Sequence, residues 1–389
     1  MGSHHRNSKI CRSGHLAFWL VLAGLPLLST AQDSLSFKGQ ASGWLHYNGG
    51  NDLPLYLGGR YIPQLNYDLD LKHDYKVDFE ASLNINGSAG FSPDDSIASY
   101  GQFKPYRLWA RYSSRQFELL AGLQKINFGS ASLLRPLMWF DQVDPRDPLK
   151  LTDGVWGILG RYYFLNNANI WLWVLYGNSK PKGWEYSGTK STIPEFGGRI
   201  QFPVPSGEAG LSYHHRVADT RNLIEPSLQY SDAPKNRLGF DIKLDLTIGL
   251  WFEGSWVHSK KNLGVLTNQE ILNAGADFTF GIGNGLYLIF EQLLAVYDEN
   301  AFEFQNANSF SLLSLSYPVG LFDNISSIIY YDWENGSFYN FLNWQKQLNR
   351  ITFYLMGYWN PQDYRIPSQG NSNNLYAGKG IQIMLVLNH

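Results

Sequence analysis

The sequence predicts an all-β protein: a transmembrane antiparallel β-barrel of about eighteen strands (16–18), with short periplasmic turns and longer outer loops. Three observations support this fold class. Aromatic residues reach 15% while charged residues are only 16%, against roughly 25% charged in a typical soluble domain. Polar and apolar residues alternate over segments of about ten residues, as they do in membrane barrels. The connections between these segments alternate between short and long.

The composition also argues against other classes. A helical membrane protein needs apolar runs of about 18 residues, which this chain lacks. A nucleic-acid binder would be basic, whereas the net charge is -2, so no nucleic-acid partner is expected. The sequence has no Gly-rich phosphate loop, no HExxH motif and no nucleophile elbow. We therefore expect no enzyme activity and no cofactor.

Residues 1–31 are predicted to be a cleaved secretory signal peptide. Arg6, Lys9 and Arg12 precede an apolar stretch at 16–28, and small residues follow it up to Ala31. An uncleaved anchor is the alternative. Removing the signal leaves 28 Lys+Arg against 33 Asp+Glu and removes the only cysteine. We expect residues 32–389 to form a single transmembrane barrel domain without thiols or disulfides.

The alternation runs along the whole chain. In 76–86, Val77, Phe79 and Ala81 are followed by two more apolar residues at every second position, with polar residues between them. A helix cannot produce this period of two. The predicted strands are 35–47, 57–71, 76–86, 104–113, 116–128, 155–164, 169–177, 195–203, 208–217, 236–247, 249–259, 269–280, 285–297, 308–317, 321–332, 337–348, 350–359 and 377–388. Strands 169–177 and 308–317 are weak, because both of their faces are apolar.

Physics explains why one face should be apolar and the other polar. In lipid every backbone N–H and C=O needs an internal partner, so a sheet must close on itself. Its outer face then meets hydrocarbon and its inner face meets water. Nine long loops and eight short turns return both chain ends to the same side. A soluble β-sandwich or solenoid is the alternative, since both also alternate, but no fixed-period repeat indicates a solenoid.

The polar phase carries charges of both signs, which predicts a charged lumen. Arg107 and Arg111 are expected to oppose Glu80 and Glu118 across neighbouring strands, and opposed charges in a pore tune its ion selectivity. Alternatively, such residues merely pair across strands. The candidates for the lumen and its constriction are Arg107, Arg111, Arg135, Arg146, Arg161, Arg199, Glu80, Glu118, Asp141, Asp144 and Asp147.

The end of the fifth predicted strand and the long loop after it form the most distinctive stretch. Gly122 to Gly129 reads GLQKINFG, and Asp144 to Pro148 reads DPRDP. This pattern resembles porin-like outer-membrane barrels of Gram-negative bacteria, most closely the uncharacterised porin-like barrels of Bacteroidota. The resemblance implies the fold and a location in the bacterial outer membrane. It also implies that the long third outer loop, 129–154, folds inward and narrows the channel.

Two alternatives remain open for this loop. Its apolar residues, among them Leu137 and Trp139, would also suit packing against a partner protein. Asp141, Asp144, Asp147 and Asp153 could supply hard oxygen ligands to calcium, although their spacing is not that of an EF-hand. A metal is otherwise not expected, because His214 and His215 are adjacent on a predicted strand and point to opposite faces.

The predicted function is an outer-membrane channel for diffusion of small hydrophilic solutes through a charged lumen. The alternative is a surface or structural barrel that binds polysaccharide or serves as a subunit of an envelope complex. The expected partners are outer-membrane lipid, a homotrimer or envelope partner, and the barrel-assembly machinery, whose recognition strand the segment 380–389 resembles.

Overall fold

The computed structural model describes residues 34–71, 74–92, 97–363 and 375–389, so the predicted signal peptide at 1–31 lies outside the described residues. The strands are β1 (Ser34–Tyr47), β2 (Leu55–Asp70), β3 (Lys76–Phe91), β4 (Ile97–Ser113), β5 (Phe117–Gln124), β6 (Val155–Tyr163), β7 (Asn169–Leu175), β8 (Gly188–Thr189), β9 (Glu195–Val204), β10 (Gly207–Asp219), β11 (Ala233–Asp245), β12 (Gly249–Ser259), β13 (Asn268–Phe280), β14 (Leu286–Asp298), β15 (Ala307–Pro318), β16 (Asp323–Asp332), β17 (Ser337–Leu348), β18 (Ile351–Trp359) and β19 (Lys379–Asn388). Within these described ranges, no helix is long and apolar enough to cross a membrane.

The strands form one closed antiparallel barrel. Each wall strand pairs with its neighbour in the chain, and β1 pairs with β19 from Gln40 opposite Asn388 to Tyr47 opposite Ile381. The two-residue β8 pairs only with the end of β10, while β7 pairs directly with β9. Eighteen strands therefore make the wall, and the prediction of an all-β antiparallel barrel of about eighteen strands is confirmed.

The two phases of the alternation face opposite sides of the wall. Apolar side chains of one phase are exposed on the outside, for example Leu172 at 65% and Leu385 at 52%. The other phase points inward, where Ser42, Asp78 and Ser82 are buried. Long connections lie at one end of the barrel, the loop end, and short ones at the other, the turn end. This arrangement is the one expected of a barrel with hydrocarbon outside and polar groups inside.

One predicted strand is wrong in its length: the alternation predicts 116–128, but β5 ends at Gln124. Gly122 has a φ of 122°, and a Cβ at this position would clash with the backbone oxygen of Leu108 on β4. The close approach marks the end of regular pairing, after which the chain leaves the wall. The loop therefore begins at residue 125 instead of 129.

The two weak strands are present, and the structure explains their weak alternation. On β7 the inward side chains include Trp173, and on β15 they include Leu312; both are almost completely buried. Both belong to apolar clusters inside the barrel, which segment 125–154 joins. Their inward faces are apolar because they contact protein instead of water.

Candidate functional site

Segment 125–154 leaves the wall after β5 and lies against the inward faces of β11 to β14, which face β5 across the barrel. Two carboxylates on that wall accept hydrogen bonds from its backbone. Glu253 of β12 accepts from the N–H groups of Ala131 and Leu137 at 2.8 and 2.6 Å. Glu291 of β14 accepts from the N–H of Leu134 at 2.6 Å, and from the two residues before it. The carboxylates thus replace the partners that this non-strand backbone lacks.

These contacts are strong because the groups are charged and shielded from water. Glu253 and Glu291 are both 0% exposed, and a hydrogen bond to a charged group contributes about 1.5–3 kcal/mol. Gly129 is required for the approach: its φ is 106°, and a Cβ there would clash with Glu253 Oε2. A side chain at this position would push the backbone away from its anchor.

Apolar side chains complete the attachment of the segment. Leu134 packs in a cluster with residues of β13 to β18, including Phe310 and Tyr358. Phe128 stacks on Trp173 of β7 with ring centroids 5.7 Å apart, and Phe140 meets the same Trp edge-on at 5.4 Å. The segment is therefore attached on two sides of the barrel interior by burial of apolar surface.

Ion pairs and hydrogen bonds within the segment also stabilise it. Arg135 donates to Asp141 at 2.9 Å and to the carbonyl oxygen of Phe128 at 3.0 Å. Arg146 forms a two-point contact with Asp144, at 2.7 Å for each bond. These four candidates from the sequence are brought together in pairs within the loop, and each charge is balanced locally.

The wall candidates form a separate group on β3 to β6. Arg111 bonds Asp78 at 2.7 Å and lies 3.8 Å from Glu118, which Arg161 contacts at 2.8 Å. Arg107 instead donates to the carbonyl oxygen of Thr152 in the loop. Glu80 accepts a hydrogen bond from Ser82 at 3.2 Å. The predicted opposition of Arg111 and Glu118 is present, whereas Arg107 and Glu80 each have another hydrogen-bond partner.

Arg199 joins the wall to the loop. It donates two hydrogen bonds to Asp241 of β11, at 2.5 and 2.9 Å, and its guanidinium lies 5.2 Å from the ring centroid of Phe128. Asp241 also accepts from the hydroxyl of Ser130. This buried ion pair therefore positions the start of the loop.

The aspartates proposed as calcium ligands are not gathered in the structure. Asp141 and Asp144 bond arginines of the loop, and Asp153 bonds Lys104 at 2.6 Å. No group of three or more His, Cys, Asp or Glu residues able to hold a metal occurs among the described residues. Cations therefore engage carboxylate oxygens of Asp141, Asp144 and Asp153 that the calcium alternative would use.

Two loop groups have altered acidities. Burial raises the pKa of the Asp147 carboxyl, although this group accepts a hydrogen bond from the N–H of Leu149. Burial lowers the pKa of Lys182, which lies in the next long loop. Both shifts have the direction expected when a charged form loses water. The loops are therefore packed closely enough to reduce the hydration of these two charged groups.

Sequence reasoning missed the two anchors, Glu253 and Glu291. A signal was present: Glu291 lies on the inward phase between Ile289 and Leu293, which are apolar. A carboxylate with apolar neighbours on the inward face is badly placed for a water-filled lumen. It instead indicates a protein segment folded over it.

Comparisons with known proteins address the fold. No protein-family model matches the sequence, and no curated protein matches it. Two solved structures are similar in fold over nearly the whole chain, OccAB1 of Acinetobacter baumannii and OccK5 (OpdH) of Pseudomonas aeruginosa. OccAB1 has a TM-score of 0.54 at 8% identity and covers 92% of this chain and 95% of its own. OccK5 has a TM-score of 0.52 at 10% identity and covers 91% and 98%.

The chain therefore shares the barrel fold of these two solved structures. At these identities the similarity shows the fold alone. The resemblance to Bacteroidota barrels stays a prediction.

Proposed function

We propose that this protein is an outer-membrane channel through which small hydrophilic solutes diffuse, and that segment 125–154 narrows its lumen. The observation that carries the proposal is the attachment of this segment to Glu253 and Glu291 on the inner wall. A segment fixed across the interior of a barrel reduces its open cross-section. The charges of Arg111, Glu118 and Arg161 then lie along what remains of the path.

The turn end of the barrel supports the same proposal. Charged side chains on the inward phase are exposed there: the Lys243 and Asp245 side chains are 37% and 70% exposed, and those of Lys76 and Asp68 are 40% and 36% exposed. Charges that remain in contact with water inside a barrel suit an aqueous vestibule. A solute would meet this polar vestibule on one side of the narrowed region.

A second candidate is a barrel that does not conduct and acts as a binding or structural protein at the cell surface. The observation that favours it is the filling of the interior toward the loop end. His46, Tyr330 and Tyr339 point inward and are at most 1% exposed. Aromatic side chains buried at such positions, together with the folded segment, leave less room for water.

Conductance of the purified protein in planar bilayers separates the two candidates. The channel proposal expects steps of ion current for the wild-type protein and larger steps after deletion of residues 130–150. A matched control is Glu208→Gln, which removes an inward carboxylate that bonds Gln201 and not the loop. This control should conduct as the wild type does.

If neither the wild type nor the deletion variant carries current, the channel proposal fails and the non-conducting barrel is favoured. Equal current in both proteins would refute only the narrowing role of segment 125–154 and would leave the channel proposal standing. Folding of each variant is checked by its resistance to unfolding by detergent without heating.

A further inference from the structure

A small cavity lies at the loop end, away from the wall charges on β3 to β6. Its floor is the folded segment at Met138 and Trp139, and its sides are the inward faces of β10 to β14. Residues 182–187 of the next long loop cover it. Its volume is about 30 Å³, enough for about two water molecules or one small anionic group.

The cavity is lined by four cationic side chains, those of Lys182, Arg216, Lys235 and Arg237. Arg216 and Lys235 are paired residues of β10 and β11, and Arg237 is one inward position further along β11. One carboxylate, Glu185, lines the cavity with them. The lining therefore has an excess of positive charge in a place that is shielded from water.

Glu185 cannot balance this charge alone. It lies 3.2 Å from Arg216 and also contacts Arg237. The next carboxylate, Glu195, accepts from His214 at 3.2 Å. Buried cations need paired anions or hydrogen-bond acceptors to offset their desolvation. Arg216 also donates to the carbonyl oxygen of Ser187 and to the hydroxyl of Thr189, but the two arginines share one carboxylate.

Several donors of the lining have no acceptor. Among the described residues, Nζ of Lys235 has no hydrogen bond or ion pair. The Nε atoms of Arg216 and Arg237 and the hydroxyl of Ser187 are buried without a hydrogen-bond partner. Unpaired buried donors are rare in folded proteins. The three buried donors that line this cavity point to a place for an acceptor group.

We propose that this cavity binds the oxyanion group, a carboxylate or a phosphate, of a small solute at the loop end of the barrel. Arginine and lysine supply the charge-assisted hydrogen bonds that such groups accept. Trp139 and Trp184 line the same cavity, so the bound group would lie beside aromatic rings. Leu223 and Leu263 of the loop end also line the cavity.

The binding site does not depend on conduction, so it is tested on the purified full-length protein in detergent. The probes are sodium phosphate and sodium acetate, with sodium chloride at matched ionic strength as the reference. Binding is followed by intrinsic tryptophan fluorescence, to which Trp139 and Trp184 contribute, and by calorimetry. We expect a saturable signal with at least one oxyanion, and comparison of the two probes shows which oxyanion class is preferred.

Lys235→Gln should weaken oxyanion binding about tenfold, since one charge-assisted hydrogen bond is lost. Lys243→Gln is the matched control, because Lys243 is inward on the same strand but is paired with Asp245 at 3.5 Å; its affinity should not change. Lys182→Gln is a second test variant, with the same expected direction. At equal concentration, phosphate or acetate should also raise the melting temperature of the wild type more than that of Lys235→Gln.

The proposal is overturned if neither oxyanion gives a saturable signal above chloride. It is also overturned if Lys235→Gln and Lys182→Gln bind as tightly as the wild type. Either result leaves the channel proposal untouched, since that proposal depends on current and not on this cavity.

Discussion

Glu291 on β14 and Leu134 in the folded loop are joined by a hydrogen bond of 2.6 Å from the Leu134 N–H to the Glu291 carboxylate. The same carboxylate accepts from the N–H groups of Ser132 and Leu133. Glu291 has no contact with solvent, so the loop is the environment in which this charge is tolerated. The loop and the carboxylate therefore stabilise each other.

Glu291→Gln should release this part of the loop. An amide has one acceptor oxygen in place of two, and loss of charge-assisted hydrogen bonds should cost the local structure about 2–4 kcal/mol. We expect faster cleavage by trypsin after Arg146 or Lys150 in the folded barrel. Glu208→Gln is the control and should be cleaved as slowly as the wild type. Equal cleavage of the wild type and Glu291→Gln would contradict the anchoring role.

Gly129→Ala tests the attachment of the loop to Glu253, the second of the two carboxylates that hold it. The added Cβ would clash with Glu253 Oε2, and the φ of 106° is strained for any residue with a Cβ. We expect a lower melting temperature in detergent, together with faster loop cleavage. Gly101→Ala is the matched control, because no atom lies within 4 Å of the place that an added Cβ would take there. A Gly129→Ala protein as stable and as protected as the Gly101→Ala protein would refute the close approach.

The wall of the barrel could be predicted from the sequence because its constraint is local. Each strand such as β11 must alternate between lipid and interior, and Leu238 and Phe240 show this directly. The ends of strands are harder to predict. The second long hairpin, expected as a loop at 87–103, continues as strand to Phe91 and begins again at Ile97, and its Gly-rich and Ser-rich sequence does not alternate.

The interior could not be predicted to the same extent, since its contacts join residues that are far apart in the chain. Glu253 and Ala131 are separated by 122 positions, and no local pattern relates them. Arg111 and Glu118 can be predicted together because they lie on neighbouring strands. Arg237 and Glu185 cannot, because a loop brings the carboxylate to the wall.

Arg199→Met should destabilise the barrel strongly. It leaves the Asp241 carboxylate, which is 1% exposed, without its cation, and breaking a buried pair in this way costs about 3–5 kcal/mol. Lys346→Met is the comparison, because its pair with Asp323 is 3.5 Å long and the Lys346 side chain is 41% exposed; an exposed pair contributes about 0–1 kcal/mol. Urea unfolding in detergent measures both. Similar losses for the two variants would contradict the buried pair's role.

Asp147→Asn should stabilise the folded loop at neutral pH. Burial raises the pKa of Asp147 in the folded protein, so the folded state binds more protons than the unfolded state between the two pKa values. The stability of the wild type therefore falls as pH rises through the raised pKa. The asparagine cannot ionise and keeps an oxygen for the N–H of Leu149.

The advantage of Asp147→Asn should disappear below the ordinary aspartate pKa of about 3.9, where the wild type is protonated in both states. Melting temperatures of the two proteins across pH 3–8 provide the measurement. A variant that is less stable at neutral pH, or a difference independent of pH, would refute a destabilising buried carboxylate.

Cysteine labelling tests which face of β11 meets water. Lys243 is inward and Leu238 is outward, and the chain contains one native cysteine, which Cys11→Ser removes. In lipid vesicles, a charged maleimide should label Lys243→Cys rapidly and Leu238→Cys slowly, because hydrocarbon covers the outward side chain. A membrane-permeant maleimide controls for the intrinsic reactivity of each thiol. A one-residue register slip exchanges the two faces of a strand. Faster labelling at position 238 would therefore mean that the register of β11 differs by one residue from that of the structure.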